Sequence, residues 1–369
     1  MLGFNSGLEI LFVNGINTGF GGSVAESNKT WFSSFNRNGI RFESLNIVPH
    51  FGLRQKSHYY FLLLSLYFMP GTFFRSISAS IFEFTYKLSP FTLAVFIWYM
   101  ITSAPKQVIF SHHSIFYLAL FCSRFKRIFL IHDLMYVRSR SKGASRRLQR
   151  LFFYIELKIY RLAPTVFVQS YHEWRLLKRF LNDRIYLIRC CDLALTMSVT
   201  DCPAGLAVIS DWRRPENVHG IINFLSLKSA RTYNGSVLNF QFFGFGSHGM
   251  VKKLVKLGIS NSIVISDGGV FDVLSDIKEG YFFVPIYQGA GIKRKTLEAL
   301  VAGRMVVGTR AAFIGLPPWI IAGVTWRISS VLDLRLLPKL PDAQAFKKVL
   351  DDLSSRYHDI GEITNLLRK

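Results

Sequence analysis

Acidic residues are this chain's main shortage: 23 Asp and Glu against 45 Lys and Arg, a formal charge of +22. Such an imbalance implies an anionic partner, whether nucleic acid, an anionic membrane surface or a phosphorylated small molecule. Cysteine is scarce too. Cys122, Cys190, Cys191 and Cys202 show no CxxC spacing and no disulfide framework for a chain of this size. No HExxH is present, and Asp133 and Asp192 lack the pairing of an acidic metal motif, so turnover without metal or other cofactor is the expectation. The opening residues have neither a basic n-region nor a small-residue cleavage site, which predicts a protein of the reducing cytoplasm. Uninterrupted apolar runs are also missing. Segments 57–74 and 88–104 contain no Lys, Arg, Asp or Glu, but Pro, Gly or His break both. They fall short of the roughly 20 residues of a membrane span. Buried helices, or helices with one face in a bilayer surface, are expected there.

What is present is a folded α/β pattern. Half of the 369 residues are hydrophobic and 18% are charged, which suits two domains with separate cores. "LEILFVNG" reads as a strand entering the glycine-rich turn "NTGFGGS", followed by a helical stretch from Val24 to Asn38. "QVIFSHH", "RIFLIHD" and "TVFVQS" read as further strands of the buried parallel type. The alternation predicts a doubly wound sheet. It restarts near Cys202 to Gly205 with "LAVIS", "VLNFQFFGFG" and "SIVIS". The expected domains are therefore 1–203 and 204–342, with a last helix over 343–369 packing back on the first. Residues 138–161 hold eight Lys and Arg against one acid, Glu156, with Leu148, Leu151, Phe152, Ile155 and Ile159 at helical spacing. This reads as a basic amphipathic helix, either docked on a membrane surface or simply solvated.

The stretch "GAGIKRKTLEALVAGRMVVGT" raises a physical question. A helix is predicted over Ile292 to Ala302, closed by Gly303, with Lys293, Arg294 and Lys295 in its first turn. The backbone dipole is already positive there, so each cation costs a few tenths to about 1 kcal/mol. An anion seated on the exposed N–H groups, reached through the glycine turn of Gly289 and Gly291, removes that cost. Lys293, with Lys295, then neutralises a diphosphate, and Glu298 accepts hydrogen bonds from ribose hydroxyls. The plainer alternative is a surface helix carrying an Arg294–Glu298 pair.

The same stretch resembles the donor-site signature of the retaining GT-B-fold nucleotide-sugar glycosyltransferases, the group-1 class or family four. "NTGFGGS", "FLIHDL", "APTVFVQS", "DWRRPENVHGIINFL", "FFGFGS" and "ISDGGVFDV" follow that family's order along most of the chain. The resemblance implies two Rossmann-like domains facing a cleft and transfer of a sugar from a nucleotide diphosphate with retention. It gives Glu298 the ribose, Lys293 the diphosphate and Arg213 a second phosphate contact. Gly21, Gly22, Gly246 and Gly291 would line the donor, the backbone near Val270 the base. His132 would face the donor sugar, with His113 and Asp133 as further sugar or acceptor contacts. Two departures stand out: Ala290 replaces the first glutamate of the usual pair, and "RRPEN" replaces the usual Arg…Lys pair. The basic, aromatic N-terminal half suits a lipid-linked glycan acceptor at the inner face of the cell membrane. That suggests bacterial surface polysaccharide, O-antigen or lipopolysaccharide synthesis, with no nucleic-acid partner.

Two rivals compete. Gly244, Gly246 and Gly249 satisfy GxGxxG, with Asp267 about 20 residues later, as in NAD-dependent oxidoreductases. That fingerprint normally opens its domain, whereas here a strand-helix unit precedes it. The other rival is a non-catalytic nucleic-acid binder, although basic and aromatic residues interleave on no recognisable module. His112, His113 and His132 all fall at predicted carboxyl ends of strands, where open α/β sheets bind ligands.

Overall fold

The computed structural model describes residues 9–14, 23–46, 90–141, 143–191, 205–225, 232–233, 236–237, 239–259, 262–266, 281–287, 290–322, 324–327 and 339–368. The chain divides into two compact units: Met1–Gln169 with Glu173–Ile188 and Asp359–Lys369, and Ser170–His172 with Arg189–His358.

The first unit is built on six parallel strands in the order β2-β1-β3-β4-β5-β6. These are β1 (Ile10–Asn14), β2 (Phe42–Asn46), β3 (Gln107–Ser111), β4 (Lys126–Ile131), β5 (Thr165–Val168) and β6 (Ile185–Leu187). Their apolar runs do not alternate with polar residues because both faces are covered. Val108, Phe110, Phe129 and Ile131 pack one way, against α2 (Pro90–Ser103), a 3-10 segment (His113–Phe121), α4 (Arg146–Tyr160) and α5 (Tyr171–Leu181). Ile10, Phe12, Ile109 and Leu130 pack the other way, against Trp31 and Phe35 of α1 (Ser23–Arg37). Ile360, Ile363 and Leu367 of α10 (Ile360–Arg368) complete that second layer.

The basic stretch is two helices rather than the one predicted. Between α3 (Met135–Ser141) and α4, Gly143 takes φ of 75°, and Ser145 caps α4 by accepting the Leu148 N–H at 3.3 Å. A left-handed glycine followed by a serine cap ends one helix and starts the next. The stretch's one acid, Glu156, points inward. Its carboxylate accepts the N–H groups of Met135 (2.7 Å) and Tyr136 (2.9 Å) and the Tyr160 hydroxyl (3.0 Å). It thereby caps the start of α3 from a neighbouring helix. Burial pushes its pKa up to about 7 against the pull of those donors.

Helix α2 falls within the predicted 88–104 segment. It buries Phe96 and Met100 and exposes Trp98 and Ile101. Among the described residues no helix is long and apolar enough to cross a membrane. Segment 57–74 lies outside the described residues.

The second unit repeats the plan, with parallel order β11-β10-β7-β12-β13-β14. Its strands are β7 (Gly205–Ile209), β10 (Asn239–Phe243), β11 (Ser262–Ser266), β12 (Tyr281–Val284), β13 (Met305–Gly308) and β14 (Thr325–Arg327), with a small antiparallel pair β8 (Thr232–Tyr233) and β9 (Ser236–Val237). The helices are α6 (Pro215–Leu225), α7 (Ser247–Lys256), α8 (Arg294–Val301) and α9 (Ala343–Ser354). The single last helix read from the sequence is a pair, α9 and α10. Asp359 and Glu362 form a capping box that starts α10: Asp359 accepts the Gly361 N–H at 2.6 Å, and Glu362 reaches back to the Asp359 N–H at 3.3 Å.

Candidate functional site

In the second unit the chemistry gathers at the carboxyl ends of β7, β10 and β12, the edge where open α/β sheets bind ligands. Helix α8 starts two residues later than predicted, with Lys293 as the N-cap residue, and Gly303 just beyond it takes φ of 68°. Gly291 takes φ of 66°, and a Cβ added at Gly315 would meet the Ile292 backbone at 2.6 Å, so the helix start is clamped. The three first-turn cations then separate in role. Arg294 pairs with Glu298 at 2.5 Å, the i,i+4 pair anticipated above. Lys293 donates from Nζ to the Ala290 carbonyl at 2.6 Å. Lys295 is the odd one. Its half-buried ammonium donates to Ser210 Oγ at 3.0 Å, just past β7. Burial, then the positive charges of Lys293 and Arg214, lower its pKa from 10.5 to about 8. Burial and both neighbouring charges disfavour the charge on that ammonium, and its hydrogen-bond partner is neutral.

The neighbouring loop disposes its two arginines differently. Arg213 is exposed and forks onto Asp211, from Nε at 2.8 Å and from Nη2 at 3.0 Å, and its guanidinium lies 4.5 Å from the Phe245 ring centre. Those hydrogen bonds hold the Asp211 carboxyl below its usual range. Arg214 reaches the same carboxylate only at 3.5 Å, and it is the arginine whose charge bears on Lys295. Sequence reasoning favoured Arg213 and did not single out Ser210. Both Lys295 and Ser210 had a signal: one is a cation where the dipole rejects cations, the other ends a strand.

In the first unit, His132 follows β4 and sits in a polar chain. Nε2 lies 3.0 Å from Ser111 Oγ, Nδ1 lies 3.1 Å from Gln169 Oε1, and Ser111 Oγ is 3.0 Å from Asn28 Oδ1. With Gln169 accepting, the ring proton belongs on Nδ1, and Nε2 accepts the Ser111 proton. Ser111 then has no proton for Asn28. Exchanging the Asn28 amide nitrogen and oxygen resolves this, and it gives the buried Asn28 Nδ2 the partner it otherwise lacks. Burial pushes the His132 pKa down to about 4, so the ring is neutral at pH 7 with both nitrogens engaged. Asp133 is half-buried and lies 3.9 Å from Arg138. His113 opens the 3-10 segment, and His112 before it has φ of 96°, a strained value for a residue with a Cβ. Gly21, Gly22, Val270 and Asp267 lie outside the described residues. Among the described residues no group of His, Cys, Asp and Glu is arranged to hold a metal ion.

No family model matches the chain, and no curated protein matches it in sequence. Solved structures do match. The lipopolysaccharide outer core galactosyltransferase WaaB, in its apo form, aligns over 95% of both chains at 12% identity with a TM-score of 0.55. Anabaena HepE, solved with UDP, aligns over 98% of both chains at 13% identity and a TM-score of 0.60. Sucrose-phosphate synthase from Thermosynechococcus elongatus aligns over 96% of this chain and 92% of its own, at 13% identity and 0.60. The fold is GT-B.

Within the GT-B fold the three glycines of "GFGSHG" act differently from a dinucleotide fingerprint. A Cβ at Gly244 would meet Ser210 O at 2.2 Å, and one at Gly246 would lie 3.4 Å from Trp212 Cβ. Both therefore let the turn after β10 close onto the loop after β7. The fingerprint's third glycine serves close helix–strand packing. A Cβ at Gly249 meets nothing within 4 Å. The spacing matches and the physical reason for it is absent.

Proposed function

We propose that the protein is a retaining glycosyltransferase that moves a sugar from a nucleotide diphosphate to a lipid-linked glycan acceptor in bacterial surface polysaccharide or lipopolysaccharide synthesis. The observation that carries the donor half is the convergence of Lys295, Lys293 and Arg214 at the amino end of α8. A diphosphate there offsets the mutual repulsion and is favoured by the positive end of the helix dipole. As the glycosidic bond breaks, charge builds on the departing phosphate, and these fixed cations stabilise it. HepE has been solved with UDP and with UDP-glucose, which supports a nucleotide-sugar donor. WaaB, a lipopolysaccharide galactosyltransferase, supports the acceptor class. Glu298 remains the candidate ribose contact, steadied by Arg294. We read the enzyme as cytoplasmic and peripheral on the inner face of the membrane, an assignment favoured by the net charge of +22.

The test is calorimetric titration with UDP, GDP and NAD, followed by a transfer assay across nucleotide sugars. Nucleoside diphosphate binding that disappears in Lys295→Met supports the reading. Binding of NAD alone would hand the case to the oxidoreductase reading.

A further inference from the structure

Three neighbouring helices of the first unit carry every acid inward and their exposed cations outward. On α4 the solvent-facing line is Arg147, Arg150, Leu151, Tyr154 and Lys158, continued by Arg161 at the C-cap. Arg147, Leu151, Tyr154, Lys158 and Arg161 step three or four residues along one helical stripe, with Arg150 next to Leu151 at its edge. The helix's acid, Glu156, is 1% exposed and faces the start of α3. Helix α5 repeats the arrangement: Glu173 is buried and accepts the Leu134 N–H at 3.1 Å, while Arg175, Lys178 and Arg179 are exposed beside Phe180. Tilted and edge-on aromatic contacts join the helices, with Tyr136 of α3 5.2 Å from Phe153 of α4 and Phe153 5.3 Å from Phe180 of α5. None of the stripe's cations forms an ion pair among the described residues, and Lys158 lies 5.4 Å from the centre of the Tyr154 ring.

We propose that this outer face of α4 and α5 is the surface on which the protein docks to an anionic phospholipid bilayer. The inference rests on the peripheral-membrane part of the proposed function and names the residues responsible. Arg and Lys heads meet lipid phosphates while their stems, with Leu151, Tyr154 and Phe180, enter the headgroup boundary. Exposed Leu and Phe among the cations suit a lipid boundary better than a phosphate backbone. A convex helical stripe also lacks the groove that single-stranded nucleic acid follows.

The experiment is co-sedimentation of the full chain with phosphatidylglycerol-containing vesicles and with pure phosphatidylcholine vesicles. Three proteins are compared: wild type, Arg147→Glu/Arg150→Glu/Lys158→Glu, and Leu151→Ser/Tyr154→Ser. Thermal melting and UDP titration verify that both variants are folded. The wild type should bind only the anionic vesicles, and the charge-reversal variant should bind them roughly 10-fold or more weakly. The apolar variant should lose less. If the wild type ignores anionic vesicles, the peripheral-membrane reading fails and this inference with it. If the wild type binds and the charge-reversal variant binds equally, only the surface assignment is wrong. Tighter binding of single-stranded RNA than of vesicles at equal salt, lost on charge reversal, would assign the face to nucleic acid instead.

Discussion

The two units end their strands in opposite electrostatic conditions. In the first, Asn28, Ser111, His132 and Gln169 form one hydrogen-bonded chain, and the ring at its centre is neutral. In the second, Lys295 is opposed by burial and by two nearby cations, with a neutral serine hydroxyl as its hydrogen-bond partner. A hydrogen-bonded chain of neutral groups holds a shape. An incomplete charge set is a cost in the free protein that an incoming anion removes. Under the proposed function, the first constellation positions and the second binds.

The strongest way to break this contrast is Lys295→Met. Nucleoside diphosphate affinity should fall at least ~100-fold, since a partly buried charge partner of phosphate contributes on the order of 3 kcal/mol. The ligand-free protein should nevertheless gain about 1 kcal/mol, because an opposed ammonium is removed; that figure discounts the shift for partial exposure. The sign can be followed with pH. The unfolded chain holds the Lys295 proton up to its ordinary 10.5 and the folded chain only to about 8, so folded stability rises with pH across that window. The variant should lose this slope in denaturant titrations. A variant no more stable than wild type, with UDP affinity intact, ends the argument.

Next in size is Ser111→Ala, which leaves His132 Nε2 and Asn28 without their shared hydroxyl. Urea unfolding should show a loss of about 1–3 kcal/mol. No comparable loss is expected from Ser210→Ala, whose hydroxyl serves a lysine with access to water.

Glu156→Gln sharpens the picture of the first unit. Folding raises this carboxyl from 4.5 to about 7, so the native state binds the extra proton and stability declines as pH rises through that interval. His132 works the other way: its folded pKa lies near 4, so stability grows as pH rises from there to 6.5. The two contributions oppose each other where they overlap. Relative to wild type, the glutamine variant should show a steeper rise of melting temperature with pH between these limits.

The smallest effect should come from Arg213→Ala. Its fork is held by Asp211, so donor KM should change less than about 3-fold, against roughly 10-fold for Arg214→Ala. The reverse order would restore the reading made from sequence alone.

Much of the fold was legible because buried parallel strands write themselves as unbroken apolar runs, as in "RIFLIHD" and "YFFV". The break between α3 and α4 was also present in the letters, as Gly143 and Ser145, as was the α10 start in Asp359 and Glu362. Charge was harder. Which of Arg213 and Arg214 points toward Lys295 depends on the Asp211 fork, a matter of rotamers that spacing does not encode. In the sequence Glu156 is only the one acid of a basic stretch, because a stripe pattern does not say that α3 needs a cap from elsewhere.

An imidazole beside a substrate site usually announces itself as an acidic limb in the rate profile. Here the ring is already tied at both ends, so it should stay silent from mild acid to mild alkali. If the proposed transfer reaction shows an inflection near neutrality, it belongs to another group, and the ammonium beside Ser210 is the first place to look.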